Sequence, residues 1–108
     1  MAKKTISKKI EKKINEYVNE LRKDKLPIKE VILFGSFAKG TSHKWSDIDL
    51  AVISPKFKDP LKAMQYLWLK RIGDKGITIE PIGFSPEDFK EKTSLNHEIK
   101  KTGIKIHV

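Results

Sequence analysis

Two stretches decide the fold: Phe34-Gly-Ser-Phe-Ala-Lys-Gly40 and, shortly after it, Ser46-Asp-Ile-Asp-Leu50. In an extended chain successive side chains alternate, so Asp47 and Asp49 share one face while Ile48, Leu50 and Val52 share the other. The apolar set can pack under helices, which leaves two carboxylates side by side on the opposite face. Two such charges about 5 Å apart repel by about 3 kcal/mol at an effective dielectric of about 20. A sheet has no structural use for that cost. A divalent ion removes it, because hard cations such as magnesium take carboxylate and phosphate oxygens into one coordination shell.

The first stretch supplies the complement. Val31-Ile-Leu-Phe34 is a short, continuous apolar run that reads as a buried strand ended by Gly35. Gly35 lets the backbone come close to a ligand. Ser36 opens a brief helical segment over 36–39, where an amide and a hydroxyl suit a phosphate. Lys39 adds mobile positive charge, and Gly40 allows the return turn. At average composition the pattern Gly-Ser-x10-Asp-x-Asp alone recurs about once in 10^5 windows, so the pairing of the two stretches is not a coincidence of composition.

Working outward, residues 77–82 form a third strand in which Thr78, Glu80 and Ile82 share a face, with Glu80 its one carboxylate. If this strand lies beside 47–53, Glu80 points at the same ions as Asp47 and Asp49. Residues 5–24 place Ile6, Ile10, Ile14, Tyr17, Val18 and Leu21 at helical spacing, and Pro27 lies just beyond. In a helix over 61–72, stopped by Gly73, a stripe of Leu61, Met64, Leu67, Trp68 and Ile72 is expected in the core. Tyr66, Leu69 and Trp45 are expected at the surface, a patch that suggests a protein contact. Ser85-Pro86-Glu87-Asp88 has the form of a helix start. A last helix over 94–101 and a terminal strand over 104–108 complete the chain. The expected architecture is α/β, an α+β two-layer sandwich: a small mixed sheet with helices packed on one face.

The 108 residues suit one domain, 1–108. Without cysteine, disulfides, thiol nucleophiles and iron–sulfur ligation are excluded. His43, His97 and His107 share no metal-ligand spacing. No long apolar run or signal-like leader is present, so a cytoplasmic location is expected. The 23 basic against 14 acidic side chains leave a charge of +9, which suits a polyanion such as a nucleotide triphosphate or a nucleic acid. Only Arg22 and Arg71 are arginines, so base-specific DNA reading is poorly provided for.

The Gly-Ser/Asp-x-Asp core resembles the signature of the DNA polymerase β-type nucleotidyltransferase superfamily, and the short length resembles its minimal nucleotidyltransferase branch. The similarity runs from Val31 to the ending Glu98-Ile-Lys-Lys-Thr-Gly-Ile-Lys-Ile106. It implies the nucleotidyltransferase fold, a triphosphate gripped by Gly35 and Ser36 with help from Lys39 and Ser46, and two magnesium ions on Asp47 and Asp49. It also implies a third carboxylate, placed on Glu80, that completes the metal site and helps deprotonate the acceptor; many relatives have Asp there. The implied reaction moves a nucleotidyl group, AMP from ATP or its counterpart from another triphosphate, onto a hydroxyl. The implied partner is a helical HEPN toxin, with this chain as antitoxin. The other readings are a non-catalytic module that neutralises such a partner by binding, and a basic nucleic-acid-binding protein.

Overall fold

A computed structural model describes residues 6–42, 47–71 and 78–107. Helix α1 (Lys8–Lys23) starts at Ser7, whose hydroxyl accepts the Ile10 amide at 3.3 Å, and buries Ile10, Ile14, Tyr17, Val18 and Leu21. The predicted periodicity and the observed buried face agree. Strand β1 (Glu30–Phe34) leads through Gly35 into the one-turn helix α2 (Ser36–Lys39), and β2 covers Ile48–Ile53. Helix α3 spans Pro60–Leu69 and β3 spans Ile79–Phe84. Helices α4 (Pro86–Lys90) and α5 (Ser94–Thr102) precede the short β4 (Ile104–Ile106).

The strands form a mixed sheet in the order β3-β2-β1-β4. β1 runs antiparallel to both β2 and β4, while β2 and β3 are parallel. The parallel pair needs a crossover, and α3 supplies it. The main core lies between the sheet and the two longer helices: Ile48, Leu50 and Val52 of β2 and Val31 and Leu33 of β1 meet Ile14, Tyr17, Leu21, Ala63 and Leu67. Tyr17 Oη donates to the Leu67 carbonyl at 2.7 Å and ties α1 to α3.

The expectation of helices on one face holds for α1 and α3 and fails for the last two. Ile32 of β1 and Ala51 and Ile53 of β2 face the other way, where Phe89 of α4 and Ile99 of α5 cover them. The alternating strand residues on that side are apolar too, so they also need a cover. Asn96 fastens it, donating from Nδ2 to the Asp88 and Glu91 carbonyls at 3.0 and 2.9 Å.

α3 corrects a second expectation. It opens at Pro60, with Asp59 as its cap accepting the Leu61 and Lys62 amides. Its buried face is Ala63 and Leu67, with Tyr66 half-buried. Leu61, Met64 and Trp68 are 63%, 50% and 42% exposed and Leu69 is 83% exposed. Of the stripe expected in the core, Leu67 alone is buried among the described residues, and Ile72 lies outside them. Tyr66 stays partly inside because its hydroxyl donates to Asp24 Oδ2 at 2.8 Å and its ring meets Phe57. Among the described residues, no helix is long and apolar enough to cross a membrane.

Candidate active site

The face of β2 opposite the main core carries Asp49, Ala51 and Ile53. The second-face helices cover Ala51 and Ile53, and Asp49 lies beyond them at the start of the strand. Asp47 stands just before β2 and is half-buried, as is Asp49. In the parallel ladder Asp49 is the register partner of Glu80, and in the antiparallel ladder it is the partner of Phe34. Neighbouring strands lie about 4.8 Å apart, so Glu80 comes alongside the two aspartates. The condition set by the sequence, that the third strand lie next to the Asp-x-Asp strand, is met.

Because Phe34 pairs with Asp49, the Gly-Ser turn that follows β1 begins beside that carboxylate. Gly35 has φ 74° and ψ −153°, a region open to glycine and hardly to any other residue. A Cβ built there would run into Asp49 Oδ2. The backbone thus presses against the acid, and the turn and the acids form one surface. Ser36 starts α2, and the Ala38 and Lys39 amides bond the Gly35 carbonyl. Gly40, with φ 77°, ends the turn in the left-handed region.

Two of these acids, Asp49 and Glu80, are raised in part by acidic neighbours. The Asp49 carboxyl is pushed above its ordinary range by burial, then by the charge of Asp47, then by that of Glu98 on α5. Glu80 is pushed up by partial loss of solvent, by the charge of Asp47 and a hydrogen bond with it, and by Asp49, with Arg71 opposing. Since Glu80 is an exposed residue, the crowding by its two acid neighbours is the physically telling cause. Negative charge has gathered at one end of the sheet, and among the described residues Arg71 is the cation that opposes it at Glu80. Arg71 lies over the Trp68 ring at 4.2 Å, and Trp68 Nε1 donates to the Pro81 carbonyl at 3.2 Å, which brings this cation beside Glu80.

Lys39 projects from α2 and pairs with Glu98 at 3.1 Å. Ser46, His43 and Trp45 lie outside the described residues. Sequence reasoning did not assign a role to Glu98 or Arg71. Glu98 is 59 positions from Lys39, and although it opens the ending segment that carries the family resemblance, nothing there indicates a contact with Lys39.

The donor set is all carboxylate oxygen, which suits magnesium, and the part of the elevation of Asp49 and Glu80 that comes from neighbouring acids is what a bound cation would relieve. Among the described residues no three His, Cys, Asp or Glu side chains converge closely enough to cage an ion by themselves.

A sequence model of the nucleotidyltransferase domain matches residues 11–106. This chain belongs to the nucleotidyltransferase domain family. A Methanocaldococcus jannaschii protein named "Putative protein adenylyltransferase MJ1305" is 42% identical to it over 67 residues. The match takes in 58% of this chain and 46% of that protein, so it covers about half the length of that relative. Among solved structures, a "putative nucleotidyltransferase from Sulfolobus solfataricus" superposes with a TM-score of 0.67 at 20% identity, covering 90% of this chain and 78% of the other. A toxin–antitoxin structure with AMP-PNP gives 0.57 at 22% identity, over 90% and 72%. A mutant of the toxin–antitoxin MntA-HpeT gives 0.58 at 21%, over 86% and 71%. These likenesses establish that this nucleotidyltransferase domain shares their fold.

Proposed function

We propose that the chain transfers a nucleotidyl group, AMP from ATP, to a hydroxyl of a protein acceptor and releases pyrophosphate. The observation that carries this reading is the single surface formed by Gly35 against Asp49, Asp49 in register with Glu80, and Asp47 beside both. The family assignment and the adenylyltransferase name of the M. jannaschii relative support it.

Gly35 and Ser36 hold the triphosphate through backbone amide and hydroxyl, and Lys39 adds a cation to its outer phosphates. Ser46 joins them on the strength of the sequence pattern. Asp47 and Asp49, with Glu80, are the residues that would hold magnesium, as two ions. Bound there, the metal would neutralise phosphate oxygens and steady the attacking and leaving oxygens. Glu80, alongside Asp49 and Asp47 at the same end of the sheet, takes the proton from the acceptor hydroxyl. The acceptor oxygen then bonds to the α-phosphorus, and the bond from that phosphorus to the bridging oxygen breaks, so pyrophosphate leaves with the electron pair. The remaining acceleration comes from positioning and charge neutralisation.

The acceptor reading draws on α3. Leu61, Met64, Trp68 and Leu69 are exposed on this one helix. Exposed lysines at 58 and 62 rim its start, and Arg71 stacks on Trp68 at its end. A positively charged rim around apolar side chains suits an acidic helical protein and repels a second copy of this +9 chain. A HEPN toxin neutralised by AMP transfer, with this chain as its antitoxin, is the partner we propose, in line with the toxin–antitoxin neighbours. Binding without transfer would leave the repelling acids without a purpose.

Pyrophosphate release with ATP, magnesium and the partner tests the reading. Wild type releases it, and Asp47→Ala with Asp49→Ala does not. Equal release by the double variant would contradict the assignment.

A further inference from the structure

The cation closest to the Gly-Ser turn in sequence is already engaged. Lys39 Nζ lies 3.1 Å from Glu98 Oε1, with both side chains about half exposed. Exposed pairs of this kind contribute only about 0–1 kcal/mol to folding, so stability alone gives little reason to reach across the fold for it. The placement of the two residues is more telling. α2 follows directly from the Gly-Ser turn, while α5 is anchored on the second face by Ile99, which packs with Ile32, Ala51 and Ile53. Glu98 is therefore held on a fixed element, with Thr102 Oγ1 donating to its carbonyl at 2.9 Å. Its charge also reaches Asp49, so Glu98 is felt by the acid cluster as well as by the lysine it pairs with.

We propose that Glu98 is a stand-in for the polyphosphate. It occupies the Lys39 ammonium when no nucleotide is present, and it must give that cation up when a triphosphate binds. The inference rests on the reading of Lys39 as a phosphate contact and goes beyond it by naming the group that competes. A carboxylate and a phosphate both seek the same ammonium, and the displaced carboxylate is left near the incoming negative charge. Glu98 thus weakens the resting grip on nucleotide and hands departing pyrophosphate a competitor for its cation. No covalent step is involved. Glu98 is a positioning residue that acts through Lys39.

The test is calorimetric titration of a non-hydrolysable ATP analogue with magnesium into four proteins: wild type, Glu98→Gln, Lys39→Ala and the double variant. Glu98→Gln is expected to tighten binding about two- to fivefold, the scale of an exposed ion pair. The gain should shrink as salt rises. In the Lys39→Ala background the same change should give no gain, since the partner through which it acts is gone. In steady state Glu98→Gln lowers KM without raising kcat. A merely structural Glu98 predicts weaker binding, so weaker or unchanged binding in Glu98→Gln overturns the proposal. An equal gain in both backgrounds also overturns it, because Glu98 would then act as general negative charge. If wild type binds no nucleotide at all, the nucleotide site itself is refuted and this inference falls with it. Binding by wild type without the Glu98 effect refutes the inference alone.

Discussion

Asp49 and Glu80 are register partners across the parallel β2–β3 ladder, two carboxylates on adjacent strands pointing to the same side of the sheet. Cross-strand pairs of like charge destabilise a sheet, and both groups are held above their ordinary range in part by the acids around them. This end of the sheet therefore carries negative charge that does not serve the stability of the protein.

Asp49→Asn should stabilise the protein in the absence of divalent cations while abolishing transfer. The sign follows from the direction of the shift. A carboxyl raised on folding favours the protonated state, so its contribution is present below the unfolded pKa and lost as pH rises through the folded one. The variant's advantage is thus largest near neutrality and fades toward acid. Asp49 is only half-buried, and solvent screening keeps the gain below about 1 kcal/mol, or a few degrees in Tm at about 4–8 °C per kcal/mol. Thermal melts at mildly acidic and neutral pH, with and without magnesium, check it; magnesium should close the gap by stabilising wild type.

Gly35→Ala and Gly40→Ala should differ. Both glycines have positive φ, but only Gly35 stands where a new Cβ would strike Asp49 Oδ2, while nothing lies within 4 Å at Gly40. Gly40→Ala should cost about 1 kcal/mol for a left-handed alanine and keep nucleotide binding. Gly35→Ala should cost about 2–3 kcal/mol and lose it. Urea unfolding together with nucleotide titration separates the two.

Tyr17→Phe should destabilise by about 1–3 kcal/mol, the cost of a buried acceptor left without its donor. The Leu67 carbonyl that Tyr17 satisfies lies in the last turn of α3, where carbonyls lack partners within the helix. Chemical denaturation measures it, and nucleotide binding at saturating concentration should not change.

Leu61→Ser with Met64→Ser should leave Tm nearly unchanged, since exposed positions usually stay within about 0.5 kcal/mol. The same pair of substitutions should remove binding to the helical partner proposed above. Sedimentation of the mixed proteins, alongside a thermal melt of the variant alone, tests both halves.

What the sequence made legible was local. Alternation within a strand is enough to place Asp47 and Asp49 together, and the Gly-Ser turn announces itself through glycine and the apolar run before it. Glu80 was legible only conditionally, because strand order and register are tertiary facts. Periodicity showed that α3 has faces but not which one turns inward. Ala63 and Leu67 pack into the main core against the sheet, while Met64 and Trp68 on the same helix stay exposed. The second helical layer was missed because the strand face that carries Asp47 and Asp49 was read for its acids, and Ala51 and Ile53 gave no hint of what would cover them. Glu98 was invisible because its partner comes from a distant helix.

The central claim is that these acids take nucleotide together with metal. Titration of ATP analogue into wild type should show binding with magnesium and none with a chelator, and Asp47→Asn with Asp49→Asn should abolish the magnesium-dependent binding while the protein stays folded. Binding of equal strength in the double variant, or in wild type without metal, would contradict the account.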